Sequence, residues 1–270
     1  MDPGTHTKSL RAAGKIAAWT AMACLSASSA HAADEPVYDT FAKALAPIAA
    51  AVFGGAEGQP RVMVAECTVN EASGKLAAAR GAQLRLALQA PDHLRADLAY
   101  NGAVLTACRA GKEMWATPAA PMRALAKAAG IDVDNAQPDT SSAPLIPIAL
   151  DPQMLVFLPV VFDVKDLGAE DIEGTSHRVL QFGLLQELRK AIKAEDFTSR
   201  AWIGPDHKPR RVVVAGNDYS LEIGVDKLTF ADALPEAAWQ SAEGVEVLKL
   251  PASATSELFE KMLGQKIPQP

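Results

Sequence analysis

The chain is expected to fold as an α+β domain built on one curved antiparallel sheet. The expected sheet is a half-barrel of about 9–11 strands with helices packed on its concave face. Three features of the sequence predict this. Short runs of alternating apolar and polar residues recur between turn signals. An amphipathic helical stripe precedes them, and a proline-broken apolar segment divides them into two groups.

The first element is a leader. Lys8, Arg11 and Lys15 precede a mostly apolar run from Ile16 to Ala30, too short to span a bilayer. Ala30-His31-Ala32 has the small-x-small form that signal peptidase cuts, so residues 1–32 read as a signal peptide and the product, from Ala33, as periplasmic. A lipid-modified alternative at Cys24 lacks the large aliphatic residue expected three places earlier. The net charge of −6 becomes more negative once the leader is gone. That balance excludes nucleic acid, or an anionic membrane, as the main partner. Residues 33–270 are expected to form a single domain with a helical and proline-rich insert at 117–160.

Val37, Phe41, Leu45, Ile48 and Val52 fall three or four residues apart, which predicts a helix over 36–53. Pro47 is expected to kink or divide it, and Gly54-Gly55 to end it. Strands are predicted over 61–72, 81–90 and 92–100. Leu84, Leu86 and Leu88 alternate with polar residues, and Leu94, Ala96, Leu98 and Tyr100 with His93, Arg95 and Asp97. Asn101-Gly102 signals a two-residue hairpin that sets Tyr100 against Ala103 and Leu98 against Leu105. A second turn at Ala110-Gly111 is expected to set Ala107 against Met114. This parity puts Leu94, Leu98, Leu105 and Met114 on a dry face and Arg95, Cys108 and Glu113 on the other. An exported pair of cysteines often bridges, but Cys67 most naturally groups with Met63, Ala65 and Val69, which would set the two thiols on opposite faces; the sequence leaves a disulfide and two free thiols both open.

A short helix is expected over 121–130. Segment 144–162 is apolar but broken by Pro144, Pro147, Pro152 and Pro159, and reads as core filler or as a lid over an apolar surface. "DLGAEDIEG" (166–174) reads as a solvated turn. Strands return at 177–185, 198–204, 210–216 and 219–230, with a short helix over 187–194 and a closing helix over 256–263.

Catalytic patterns are missing from the sequence. It contains no GxSxG elbow, P-loop, GxGxxG, CxxC or HxxxH. His93 and His207 read as solvated side chains, and Arg95 as an ordinary wet-face arginine beside the apolar row. A hydrolase reading would need His177 near a buried serine or aspartate. No enzyme activity, cofactor or metal is therefore expected.

The stretch 79–121, "ARGAQLRLALQAPDHLRADLAYNGAVLTACRAGKEMWATPAAP", resembles part of the LolA-like superfamily of periplasmic lipoprotein and lipid carriers. The hairpin leading into Gly111-Lys112-Glu113-Met114-Trp115 with Pro118 carries the likeness. "LGAEDIEGTSHRVLQF", "AWIGPDHKPRRVVV" and "LPEAAWQSAEGVEVLKLP" are similar to later family segments, so it covers most of 36–251. The resemblance implies helices that move aside from the concave face to admit acyl chains. It implies an apolar cavity lined by Leu84, Leu86, Leu88, Leu94, Leu98, Leu105 and Met114 and closed by Leu155, Phe157 and Leu158. Expected partners are a lipid or acylated ligand, an envelope protein, and transient membrane contact, for a monomeric chain. The alternative is an envelope interaction or sensor module with a self-filled core. One departure stands out: Ala90 precedes Pro91 where the lipoprotein carrier has an arginine, which separates apolar-ligand binding from lipoprotein shuttling.

Overall fold

A computed structural model describes residues 35–54, 61–128, 133, 161–192 and 197–250. Among them run α1 (Glu35–Phe53), β1 (Val62–Gly74), β2 (Gln83–Gln89), β3 (His93–Tyr100), β4 (Ala103–Ala110), β5 (Glu113–Thr117) and α2 (Ala119–Ala128). There follow β6 (Phe162–Ile172), β7 (Thr175–Leu184), α3 (Gln186–Ile192), β8 (Thr198–Ile203), β9 (Pro209–Ala215), β10 (Tyr219–Ala231) and β11 (Leu248–Leu250). All eleven strands join one antiparallel sheet in the order β11-β5-β4-β3-β2-β1-β10-β9-β8-β7-β6. The sheet stays open, with β11 and β6 at its edges.

Its curvature has local causes. Asp226 is an extra residue on β10 and Asn70 an extra residue on β1, so the central β1–β10 ladder carries two bulges. Two further register shifts interrupt β8–β9 and β6–β7. Each bulge bends its strand and increases the local twist. Asn70 lies over Gly224, where an added Cβ would come within 2.9 Å of the amide nitrogen.

Directly paired residues share a face in antiparallel strands, so the registers sort the side chains. One face carries Met63, Ala65 and Cys67 of β1, then Leu88, Leu86 and Leu84 opposite them on β2. It continues through Leu94, Ala96 and Leu98 on β3, Leu105, Ala107 and Arg109 on β4, Met114 and Ala116 on β5, and Leu248 and Leu250 on β11. In the other direction it holds Val225, Leu228 and Phe230 of β10, Val212 of β9, Ala201 of β8 and Leu180 of β7. This is the inner, concave face.

Helix α1 lies across the strands on that face. Val37, Phe41 and Ala44 pack with Val164, Leu180, Ala201 and Ile203. Further along the same stripe, Ala51 and Ile48 meet Met63, Ala65, Leu228, Leu86 and Leu88. From Val37 to Ala51 the helix rises about 21 Å. The strands it bridges, β7 to β2, stand five spacings apart, or about 24 Å if laid flat. Pro47 does not divide α1, which runs unbroken to Phe53. Contacts on both sides of the proline hold the two halves on the sheet and outweigh its cost of about 3 kcal/mol. Gly54, at φ 88°, ends the helix and donates to the Ala50 carbonyl at 2.9 Å.

Three expectations need correction. The β4–β5 turn falls at Gly111-Lys112, with Ala110 opposite Glu113 and Ala107 opposite Ala116 rather than Met114. The slip is two residues, so every side chain keeps its expected face. The acidic stretch 166–174 is not mainly a turn: most of it belongs to edge strand β6, and only Glu173-Gly174 turns the chain into β7. An edge strand with charged, exposed side chains shows no alternation and avoids pairing with other molecules. The helix begins at Ala119, two residues before the expected start, and its expected end at Gly130 lies outside the described residues, as do the leader, segment 144–160 and the 256–263 helix.

Candidate functional site on the concave face

The seven apolar residues singled out from β2–β5 lie on the inner face, but they are covered differently. Leu86 and Leu88 pack beneath α1. Met114 packs at the other flank with Leu248, Met122 and Ala126 of α2, and Val133. Between these flanks lie Leu84, Leu94, Leu98 and Leu105, which belong to neither cluster. Leu84, Leu94 and Leu105 are half-buried, and Leu98 is 37% exposed. Ala96 and Ala107 face each other in the middle of this strip, so its floor is lower there than at the leucines. Leu155, Phe157 and Leu158, expected to close the cavity, lie outside the described residues.

One charged residue sits on this oily wall. Arg109, paired across the ladders with Leu94 and Met114, is 1% exposed, and its Nε donates to the Gly111 carbonyl at 3.1 Å. It has further interactions and is not without partners. Nothing in the residue type marks Arg109 as buried, since an arginine beside a turn ordinarily reads as solvated. The signal was available: the Asn101-Gly102 register places position 109 opposite Leu94, on the dry side.

Arg95 does lie on the outer face, and it works there as a clamp. Its Nε donates to both carboxylate oxygens of Asp97 at 3.1 Å, and its Nη1 to the Ala238 carbonyl at 3.0 Å. Thr106 donates to the same Asp97 at 2.7 Å. The segment so held ends a single 3₁₀ turn, Glu236–Trp239, that inserts Trp239 among Ala87, Cys108 and Trp115. His93 stacks edge-on against Trp239 at 5.0 Å and bonds Asp92 at 2.8 Å, so it is not the solvated side chain expected from the sequence. Trp239 is 2% exposed, so the chain itself seals this outer patch.

Cys67 lies on the inner face beside α1, Cys108 on the outer face, and neither is bridged. Burial pushes the Cys108 thiol up to about 11, with Arg95 opposing and Asp97 adding to the effect. Burial, then the nearby Asp226, raises Cys67. Neither environment favours a reactive thiolate.

His177 is buried on the outer side of β7, where its Nδ1 lies 2.7 Å from the Thr175 carbonyl. Ser199, the buried serine among the described residues, sits on β8 opposite Val214 on the inner face, so the sheet separates the two. Among the described residues no three His, Cys, Asp or Glu side chains are grouped to hold a metal ion. No described helix is long and apolar enough to cross a membrane.

No family model matches the chain, and no curated protein matches it in sequence. Similarity appears in three dimensions. The lipoprotein LppX of Mycobacterium tuberculosis is 10% identical, with 75% of this chain and 98% of that one covered at a TM-score of 0.40. LprF of Mycobacterium bovis is 12% identical over 72% of this chain and 95% of its own, at a TM-score of 0.34. A LolA superfamily protein from Nitrosomonas europaea is 8% identical over 74% of this chain and 97% of its own, at a TM-score of 0.29.

Proposed function

We propose that the chain, exported and freed of residues 1–32, works in the periplasm as a non-enzymatic binding or carrier protein for acyl chains or another apolar ligand. The observation that supports this reading is the central strip of the concave face. Leu84, Leu94, Leu98 and Leu105 form a continuous aliphatic surface between two helix-covered flanks, and Leu98 at its end remains exposed. Covering about 400 Å² of such surface with hydrocarbon gains on the order of 10 kcal/mol, whichever hydrocarbon supplies it. Lid and ligand can therefore exchange at small net cost.

The test is organic extraction of the purified full chain with mass spectrometry, beside titration with a fluorescent fatty-acid probe. Co-purified lipid and saturable probe binding, lost in Leu98→Asp and Leu105→Asp, are expected. An empty extract together with no probe binding would sink the carrier reading.

A second reading keeps the fold and removes the cargo: an envelope interaction or sensor module filled by its own helices. Helix α1 favours it, because Ala51 is fully buried and Phe41 is only 5% exposed against the sheet. A folded chain that binds no probe yet engages an envelope protein would select it.

A further inference from the structure

Arg109 gives the carrier reading, on which this inference rests, a ligand chemistry. Among the described residues it is the one formal charge on the inner face of β2–β5, where every other inner position is apolar. A guanidinium stays charged at any physiological pH. Burying it is costly, and a leucine or methionine would fill the place without that cost. Here the guanidinium is partnered within the protein, through the Gly111 carbonyl and further interactions. Its place is also particular. It stands at the Gly111 end of β4, and Leu105 stands four residues along the same face, about 13 Å away. Leu94, Ala107, Ala96 and Leu98 lie alongside that line. The Nε–Gly111 bond holds the guanidinium at the head of the strip.

We propose that Arg109 receives the oxyanion head of a single-chain amphiphile whose hydrocarbon tail lies along Leu94, Ala107, Leu105 and Leu98. A planar guanidinium matches carboxylate and phosphate oxygens alike. In the ligand-free chain it is enclosed and satisfied within the protein, and an incoming oxyanion exchanges for those acceptors.

The experiment displaces N-phenyl-1-naphthylamine from the delipidated full chain with three ligands of equal chain length: palmitate, 1-palmitoyl-glycerol-3-phosphate and hexadecanol. An anionic head should bind about ten- to a hundred-fold more tightly than the alcohol, as expected for a charge-assisted hydrogen bond out of water. Preference for palmitate identifies a free fatty acid, and preference for the phosphate identifies a phospholipid-derived head. Arg109→Gln should erase the preference, bringing palmitate, the phosphate and hexadecanol to comparable affinities. Arg109→Lys should keep part of it, and circular dichroism checks that both variants fold. Equal affinity of the wild-type chain for anions and alcohol would overturn the inference while leaving the carrier intact. Failure of all three ligands and of the dye to bind would overturn the carrier reading, and the inference with it.

Discussion

Replacing Phe41 by alanine tests how firmly α1 is fixed to the concave face. Phe41 is 5% exposed and meets Phe162 at 5.5 Å and Phe182 at 5.2 Å between ring centroids. A buried phenylalanine removes on the order of 150–250 Å² from water, worth about 4–6 kcal/mol. Alanine keeps about 1 kcal/mol of this. The two ring contacts add about 0.5–1.5 kcal/mol each, and relaxation of the cavity returns part of the total. A loss of about 3–5 kcal/mol is therefore expected, which for a domain of this size lowers Tm by about 6–20 °C. Guanidinium denaturation followed by tryptophan fluorescence measures it. The control is Val104→Ser, at a position 55% exposed, which should change stability by less than about 0.5 kcal/mol. A cost for Phe41→Ala below about 1 kcal/mol would refute the reasoning, since α1 would then not be anchored by this cluster.

The remaining expectations concern the turn glycines, the thiols and acid. Gly74→Ala should cost more than about 3 kcal/mol, because Gly74 has φ 61° and a new Cβ would fall 1.8 Å from the Asp218 carbonyl oxygen. Gly102→Ala, at φ 77° but with nothing within 4 Å, should cost only about 1 kcal/mol by the same denaturation assay. Iodoacetamide at pH 8, read by mass spectrometry, should leave Cys108 unmodified until denaturant is added, given its 1% exposure and raised thiol. Hydrogen bonds from Arg178 hold the Asp166 carboxyl below the ordinary range. At Asp206 burial pushes up, but the Lys208 amide and Arg210 outweigh it and the carboxyl also ends low. A depressed carboxylate stabilises the fold above its unfolded value and loses that contribution as pH falls through its folded one. Unfolding free energy should therefore hold steady down to about pH 5 and fall below about pH 4, and Asp166→Asn should flatten the decline by under about 1 kcal/mol, because the pair is partly exposed.

What was legible in the sequence was parity. Asn101-Gly102 alone sets which side chains of β3 and β4 face together, and the observed pairs Tyr100–Ala103 and Leu98–Leu105 are those its turn type requires. The misplaced second turn did no harm to the faces because a two-residue slip preserves them. Edge strand β6 was illegible for a physical reason: beyond Val164 almost nothing covers it, so its residues there need not alternate. The outer-face strap was hidden because it has no period at all. The turn that carries Trp239 is held through the Ala238 carbonyl by Arg95, from a strand well over a hundred residues earlier, a contact no local pattern encodes. Arg109 was readable by position but not by residue type, since an arginine near a turn ordinarily reads as solvated.

Helix α1 is held on one side of the concave face by more than apolar contact. On the β6–β10 side, α1 is secured by three aromatic rings and by polar ties as well as apolar contact. Arg178 reaches from β7 to the Thr40 hydroxyl at 2.7 Å while also holding Asp166, and the Tyr38 hydroxyl donates to the Phe162 carbonyl at 3.4 Å. Lifting that half of the helix would break directional bonds that a hydrocarbon tail cannot replace. Leu84, Leu94, Leu98 and Leu105 lie outside the described core clusters, and an aliphatic surface gains from any apolar cover because hydrophobic gain has no direction. Under the proposed carrier role, an apolar ligand would therefore gain most at β2–β4, beside the buried charge, and least beneath α1.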